Sequence, residues 1–201
     1  MKLIPETSDP QRYIECTEYV DFDKEGVREL AGRLFSNRAG DVDKIRTVFE
    51  YLQANVPHTF NTDRKEVARS ASDVLRLGHG ICYAKANLAA ALLRSAGIPA
   101  GFCYQKFRRD DMPDSKFVIH CLNTVFLKDA GKWVRMDVRN VTEGCDPGFK
   151  PEGDPGVFAP DRTSGEEDYP GVYVRPHPAT IEALENSGNA EELREKLPQS
   201  L

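Results

Sequence analysis

Apolar residues recur along the chain in two periods, and the change between them divides it. Asp23 opens a pattern in which Val27, Leu30, Ala31 and Leu34 form one helical stripe, closing before Ser36-Asn37. A second stripe begins at Gly40-Asp41, places Val42, Ile45, Val48, Phe49 and Leu52 on one face, and ends before Val56-Pro57. Residues 57–70 have no period and read as a loop, after which Ser72-Asp73-Val74-Leu75 predicts a short helix with a side-chain cap. Residues 82–95, CYAKANLAAALLRS, make the strongest helix: Ala and Leu dominate, and Gly97 supplies a stop. Its apolar residues run round most of the circumference, so it should be central and buried. Cys82 then stands at or within a residue of its N-terminus, reached through the turn Gly78-His79-Gly80.

After Ile98-Pro99 the period becomes two. Ala100–Gln105, Phe117–Leu127 and Lys132–Arg139 read as strands, the last two joined by a hairpin at Lys128-Asp129-Ala130-Gly131. Helices followed by an antiparallel sheet predict an α+β fold with the central helix on one face of the sheet. From Cys145 to Tyr169 glycine, proline and acids cluster around Phe149, Val157 and Phe158, which predicts an ordered wrapping loop with those three as anchors. Residues 179–197 regain helical character through Ile181, Leu184, Leu193 and Leu197, divided by Gly188. The expected organisation is one domain over 1–201, with a core of about 20–142 and a loop and helical tail over 143–201.

Composition narrows the function classes. With 40% hydrophobic and 29% charged residues the 201-residue chain reads as soluble and globular. A net charge of -5 repels a phosphate backbone, so nucleic acid is not an expected partner. Pro5 and Glu6 arrive too early for a signal peptide and no later run has the 18 apolar residues of a spanning helix; the expected setting is cytoplasmic, with no membrane. Five cysteines form an odd set with no CxxC pair, which suits a reducing compartment and gives no zinc site. No acidic loop has calcium-ligand spacing, and no metal or cofactor is expected. Cys16, Cys103 and Cys121 read as small buried hydrophobes.

Cys82 differs because of its position. A thiolate attacks carbonyls, and an unperturbed cysteine with a pKa of about 8.5 supplies little of it at neutral pH. A helix N-terminus contributes roughly 0.3–1 kcal/mol against the 1.36 kcal/mol or so that one pKa unit requires, so an imidazole must do most of the activating. Of the four histidines, His79 lies in the turn that delivers Cys82, and His58 and His177 sit among prolines in loops. His120 interrupts an apolar strand, Phe117-Val-Ile-His-Cys-Leu, where an imidazole needs a partner.

The hairpin supplies that partner. If Lys128 pairs with Gly131 across a two-residue turn, Asp137 lies opposite Leu122 and His120 opposite Arg139. His120 and Asp137 are then diagonal neighbours on one face, about 7–8 Å apart at the backbone and within reach of a hydrogen bond. A three-residue turn would put them on opposite faces. In the favourable register Asp137 orients His120, His120 shuttles the proton, Cys82 forms the acyl intermediate, and the Cys82 N–H supplies half an oxyanion hole. The second donor is not assignable from sequence.

These residues also have a familiar arrangement. ASDVLRLGHGICYAKANLAAALLRSAGIPAGFCYQ, followed by HCLNTVFL and KWVRMDVR, resembles the bacterial transglutaminase-like domain family, where Gly-x-Cys opens a central helix ending in Leu-Leu-Arg-x-x-Gly-Ile-Pro-Ala. The resemblance implies a papain-like core and a cysteine–histidine–aspartate triad at Cys82, His120 and Asp137. It departs at Cys121, where relatives have glycine, and at Asp137-Val-Arg-Asn-Val, where they continue Asp-x-Arg-Gly-Asn. The superfamily includes transglutaminases, thiol proteases and amide-cleaving glycanases. The expected activity is therefore cysteine-dependent acyl transfer or hydrolysis on a peptide, protein or small amide substrate. The alternative is a non-catalytic interaction domain in which Cys82 is merely buried and the 145–178 loop forms the binding surface.

Overall fold

The computed structural model describes residues 1–109, 117–139, 149–152 and 159–201. The first two helices follow their apolar stripes. α1 (Glu25–Phe35) buries Val27, Leu30 and Ala31, and α2 (Asp41–Asn55) buries Ile45, Val48, Phe49 and Leu52. α3 (Ala71–Leu77) begins a residue before the predicted Ser72, because Ser70 is the cap: its hydroxyl accepts from the Asp73 N–H while the Asp73 carboxylate accepts from the Ser70 N–H. Gly78, at φ 73°, ends α3 in the left-handed conformation that only glycine adopts without strain.

α4 (Cys82–Ser95) has both predicted ends and is the centre of the molecule. Ala84, Ala86, Leu88, Ala89, Ala90, Ala91, Leu92 and Leu93 are completely buried. Helices α1, α2 and α3 pack against it, as do the strands that follow. Burial on all sides explains why its apolar residues are not confined to one stripe. The short alanine side chains let neighbouring backbones approach, while each buried leucine contributes roughly 1.5–3 kcal/mol.

A two-residue strand, β1 (Ile4–Pro5), precedes the helices. The main sheet is built from β2 (Ala100–Arg108), β3 (Phe117–Leu127), β4 (Lys132–Met136) and β5 (Glu167–Asp168), in the order β4-β3-β2-β5 with antiparallel neighbours throughout. β3 pairs with β4 in the predicted register, Leu127 with Lys132 and Asn123 with Met136. The turn closes through the Gly131 N–H on the Lys128 carbonyl at 3.2 Å. β4 stops at Met136 and does not run to Arg139, because Asp137 Oδ1 accepts the Arg139 N–H at 3.0 Å and turns the chain.

The later residues pack back onto this frame. Phe149 is buried in the core, as expected of an anchor, while Cys145, Val157 and Phe158 lie outside the described residues. β6 (Gly171–Val172) runs parallel to β1, and Tyr173 exchanges two backbone hydrogen bonds with Phe102 of β2. α5 (Pro178–Glu185) and α6 (Ala190–Glu195) are the two predicted short helices, burying Leu184 and Leu193. Beyond α6, the Pro198 carbonyl accepts the Ile119 N–H at 2.9 Å, so the tail lies beside β3.

Arg94 joins several of these pieces. Its buried guanidinium donates to the carbonyls of Glu15, Ala100 and Val174 at 2.9, 2.8 and 2.5 Å. Of the three cysteines expected to be buried, Cys103 and Cys121 are, but Cys16 is exposed. Its thiol finds polar partners in a surface-running segment, the Val20 carbonyl and the Asp23 carboxylate, while Tyr13 and Val20 take the buried positions. No helix among the described residues is long and apolar enough to cross a membrane.

Candidate active site

Cys82 is the first residue of α4 and is half-buried, with Ile81 at the cap position and no side chain capping the helix. The opening N–H groups of a helix have no acceptor within it, so the Cys82 N–H points into the space before α4. His120 lies midway along β3 and Asp137 just past the end of β4, both buried. Their predicted diagonal relation is realised as a 2.9 Å hydrogen bond from His120 Nε2 to Asp137 Oδ2. Nδ1 is the ring nitrogen on the side away from Asp137, and the imidazole and the Cys82 thiol line the same cleft and bias each other's ionisation. The structure therefore brings Cys82 and His120 to one cleft, with Asp137 hydrogen-bonded behind His120.

Electrostatics follow from that grouping. Burial pushes the Cys82 thiol up, but the neighbouring imidazoles of His120 and His58 outweigh it and bring the thiol down to about 5. Burial opposes charge on His120 as well, yet the Asp137 carboxylate raises the imidazole to about 9, against an adverse contribution from Arg139. Asp137 is held at about 2: burial works against ionisation, and His120 and Arg139 overcome it. The Arg139 guanidinium stands 3.0 Å from Asp137 Oδ2 in charge contact more than in-line hydrogen bonding. Both shifts favour the charged form of the pair, a thiolate beside an imidazolium.

Two further residues reach this site that sequence reasoning did not select. His58, set aside as a loop histidine among prolines, lines the same cleft as Cys82 and helps to lower its thiol. Lys85, one turn into α4, is completely buried and donates to the Val56 carbonyl at 2.7 Å. Burial draws its ammonium down to about 8, opposed by the charges of Asp137 and Cys82. Its position three residues after Cys82 on a helix was the only signal available for it. His79 stays structural: fully buried, its Nδ1 meets the Thr59 hydroxyl at 2.9 Å.

The cleft has a volume of about 310 Å³. Phe60, Phe107, Val118, Ile119 and Leu197 supply apolar walls, while Arg139 and Arg194 lie among its basic lining residues. Arg139 stacks over Phe107 and Arg194 over Phe60, at 5.9 and 5.6 Å from the ring centres. Among the described residues no group of three or more His, Cys, Asp or Glu side chains is placed to hold a metal ion.

Residues 28–138, more than half of the chain, match the model of the transglutaminase-like superfamily. The chain belongs to the transglutaminase-like superfamily. The matched span contains Cys82, His120 and Asp137 and stops just beyond the last of them. Among solved structures the superfamily fold recurs in a candidate cysteine protease from Cytophaga hutchinsonii, at 20% identity and a TM-score of 0.52 over 66% of this chain and 42% of that one. The chain thus spans well under half of that protein. The periplasmic domain of TgpA from Pseudomonas aeruginosa is similar at 16% identity and a TM-score of 0.47, over 66% of this chain and 48% of that one. A candidate protease from Parabacteroides distasonis is similar at 15% identity and a TM-score of 0.42, over 74% and 32%. No curated protein matches the chain. The α+β, papain-like core expected from sequence is the fold observed, a thiol-enzyme fold with the cysteine on the central helix and the histidine on the sheet.

Proposed function

We propose that this protein is a thiol acyltransferase or hydrolase acting on peptide or other amide substrates through Cys82, His120 and Asp137. The observation that supports the reading is the Asp137–His120 hydrogen bond, with His120 and Cys82 lining one apolar, basic cleft. Cys82 thiolate attacks the substrate carbonyl, forming an S–C bond and a tetrahedral oxyanion. Collapse expels the amine, which takes the proton that His120 holds on Nδ1, and leaves an acyl-enzyme. Water or a second amine then attacks, giving its proton to His120 as the thiolate departs. Asp137 keeps the Nε2 proton in place throughout, so that Nδ1 is the nitrogen that gives and receives.

Superfamily membership supports this reading, and the Cytophaga and Parabacteroides structures carry names that make them candidate proteases. The deciding experiment is incubation with a mixed peptide pool in the presence and absence of a primary amine, followed by mass spectrometry of products and enzyme. An acyl adduct on Cys82, absent from Cys82→Ala, is the expected result; cleaved peptides without amine and conjugates with it identify the acceptor. A pool left unchanged by wild type and Cys82→Ala alike would overturn the reading in favour of a binding domain.

A further inference from the structure

His58 is fixed against the nucleophile from several sides. Its backbone forms a parallel bridge with Gly80, two residues before Cys82, supported by Thr59 N–H on the Gly80 carbonyl and Gly80 N–H on the Pro57 carbonyl, each at 3.3 Å. The Thr59 hydroxyl binds buried His79, and buried Lys85 holds the Val56 carbonyl from α4. Residues 56–59 are therefore pinned onto the start of the helix that carries Cys82, and His58 projects into the cleft from this anchored segment.

The ring itself is also oriented. His58 Nδ1 accepts the Phe60 N–H at 3.3 Å, and the ring meets the Phe60 ring edge-on at 5.2 Å between centres. A nitrogen that accepts a backbone N–H carries no hydrogen, which leaves Nε2 as the hydrogen-bearing nitrogen of this ring. Nε2 is then the ring atom that offers a hydrogen within the cleft that Cys82 lines. His120 is arranged in the opposite sense, with a carboxylate behind it that favours the imidazolium; among the described residues no carboxylate ion-pairs with His58. His120 is backed by a carboxylate, His58 by a backbone N–H.

We infer that His58 Nε2–H is the second oxyanion donor, paired with the Cys82 N–H, stabilising the oxygen of a carbonyl attacked by Cys82. The assignment rests on the acyl-transfer reading of Cys82. In the resting protein the donor faces the cleft that Cys82 lines. When the S–C bond forms, the carbonyl π pair moves to oxygen, the negative charge shifts two bonds from the sulfur, and Nε2–H follows it. On collapse the C=O re-forms and the donor is released unchanged, so His58 neither gains nor loses a proton.

Two probes of Cys82 separate this role from simple thiolate stabilisation. p-Nitrophenyl acetate acylates through a tetrahedral oxyanion, whereas iodoacetamide alkylates by displacement at a saturated carbon and forms none. At pH 7.5, His58→Ala should slow the burst of p-nitrophenolate on the order of 10²-fold while leaving iodoacetamide alkylation within about threefold of wild type. His58→Gln, which returns an N–H donor, should recover part of the acylation rate. Unimpaired alkylation also reports that the variant is folded around Cys82. An acylation rate for His58→Ala within about threefold of wild type, or equal losses in both reactions, overturns the assignment. A wild-type protein that alkylates but shows no Cys82-dependent burst overturns the acyl-transfer reading itself, and the inference with it.

Discussion

Cys82 owes its acidity to neighbours that overcome its own burial, which sets where its reactivity should begin and end. The thiolate is lost as pH falls through about 5, and the imidazolium is lost as pH rises through about 9, so turnover should be bell-shaped with limbs near those values. Iodoacetamide alkylation should show the acid limb alone. In Asp137→Asn the imidazole loses the charge that raises it, so the alkylation midpoint should move upward and turnover should fall by roughly 10³–10⁴-fold. An unmoved midpoint would mean that Asp137 does not act through His120. The partnership of His120 and Asp137 was legible because hairpin register translates sequence spacing into a shared face. His58 was not legible: the bridge that presents it joins two irregular segments, and nonperiodic chain carries no signal of what it approaches.

Elements with their own period or cap were read closely; those that exist only through pairing were missed. α4 has the predicted ends because alanine and leucine content and the Gly97 stop are local properties. β1, β5 and β6 are two residues each, too short for alternation to appear, and form because a partner strand is present. The cap of α3 is local, and Ser70→Ala should cost about 1 kcal/mol in urea unfolding with an unchanged slope. The seam between β2 and the segment after β6 is not local. A Cβ on Gly101 would stand 2.8 Å from Val172 Cγ1 and 3.0 Å from the Tyr173 carbonyl. Gly101→Ala should therefore destabilise by about 1–3 kcal/mol. It should also speed amide exchange at Phe102 and Tyr173, whose mutual hydrogen bonds are 2.9 and 2.8 Å.

Across the whole molecule, Arg94 ties the first residues, the central helix, the sheet and the late segment through one guanidinium. Arg94→Leu should leave three carbonyls without their donor and cost about 3 kcal/mol, lowering Tm by roughly 6–12 °C. We propose that residues 1–201 unfold as one unit, which requires a single calorimetric transition in wild type and variant alike; two resolved transitions would show that the late segment is a separate unit. The tail that flanks β3 through Pro198 and walls the cleft with Arg194 and Leu197 also gives synthesis a direction. These residues leave the ribosome roughly 60 positions after Asp137, some 3–12 s later at about 5–20 residues per second. A nascent chain thus holds nucleophile, imidazole and carboxylate before it has the wall that restricts what can reach them, and the cleft gains its selectivity after its reactive groups.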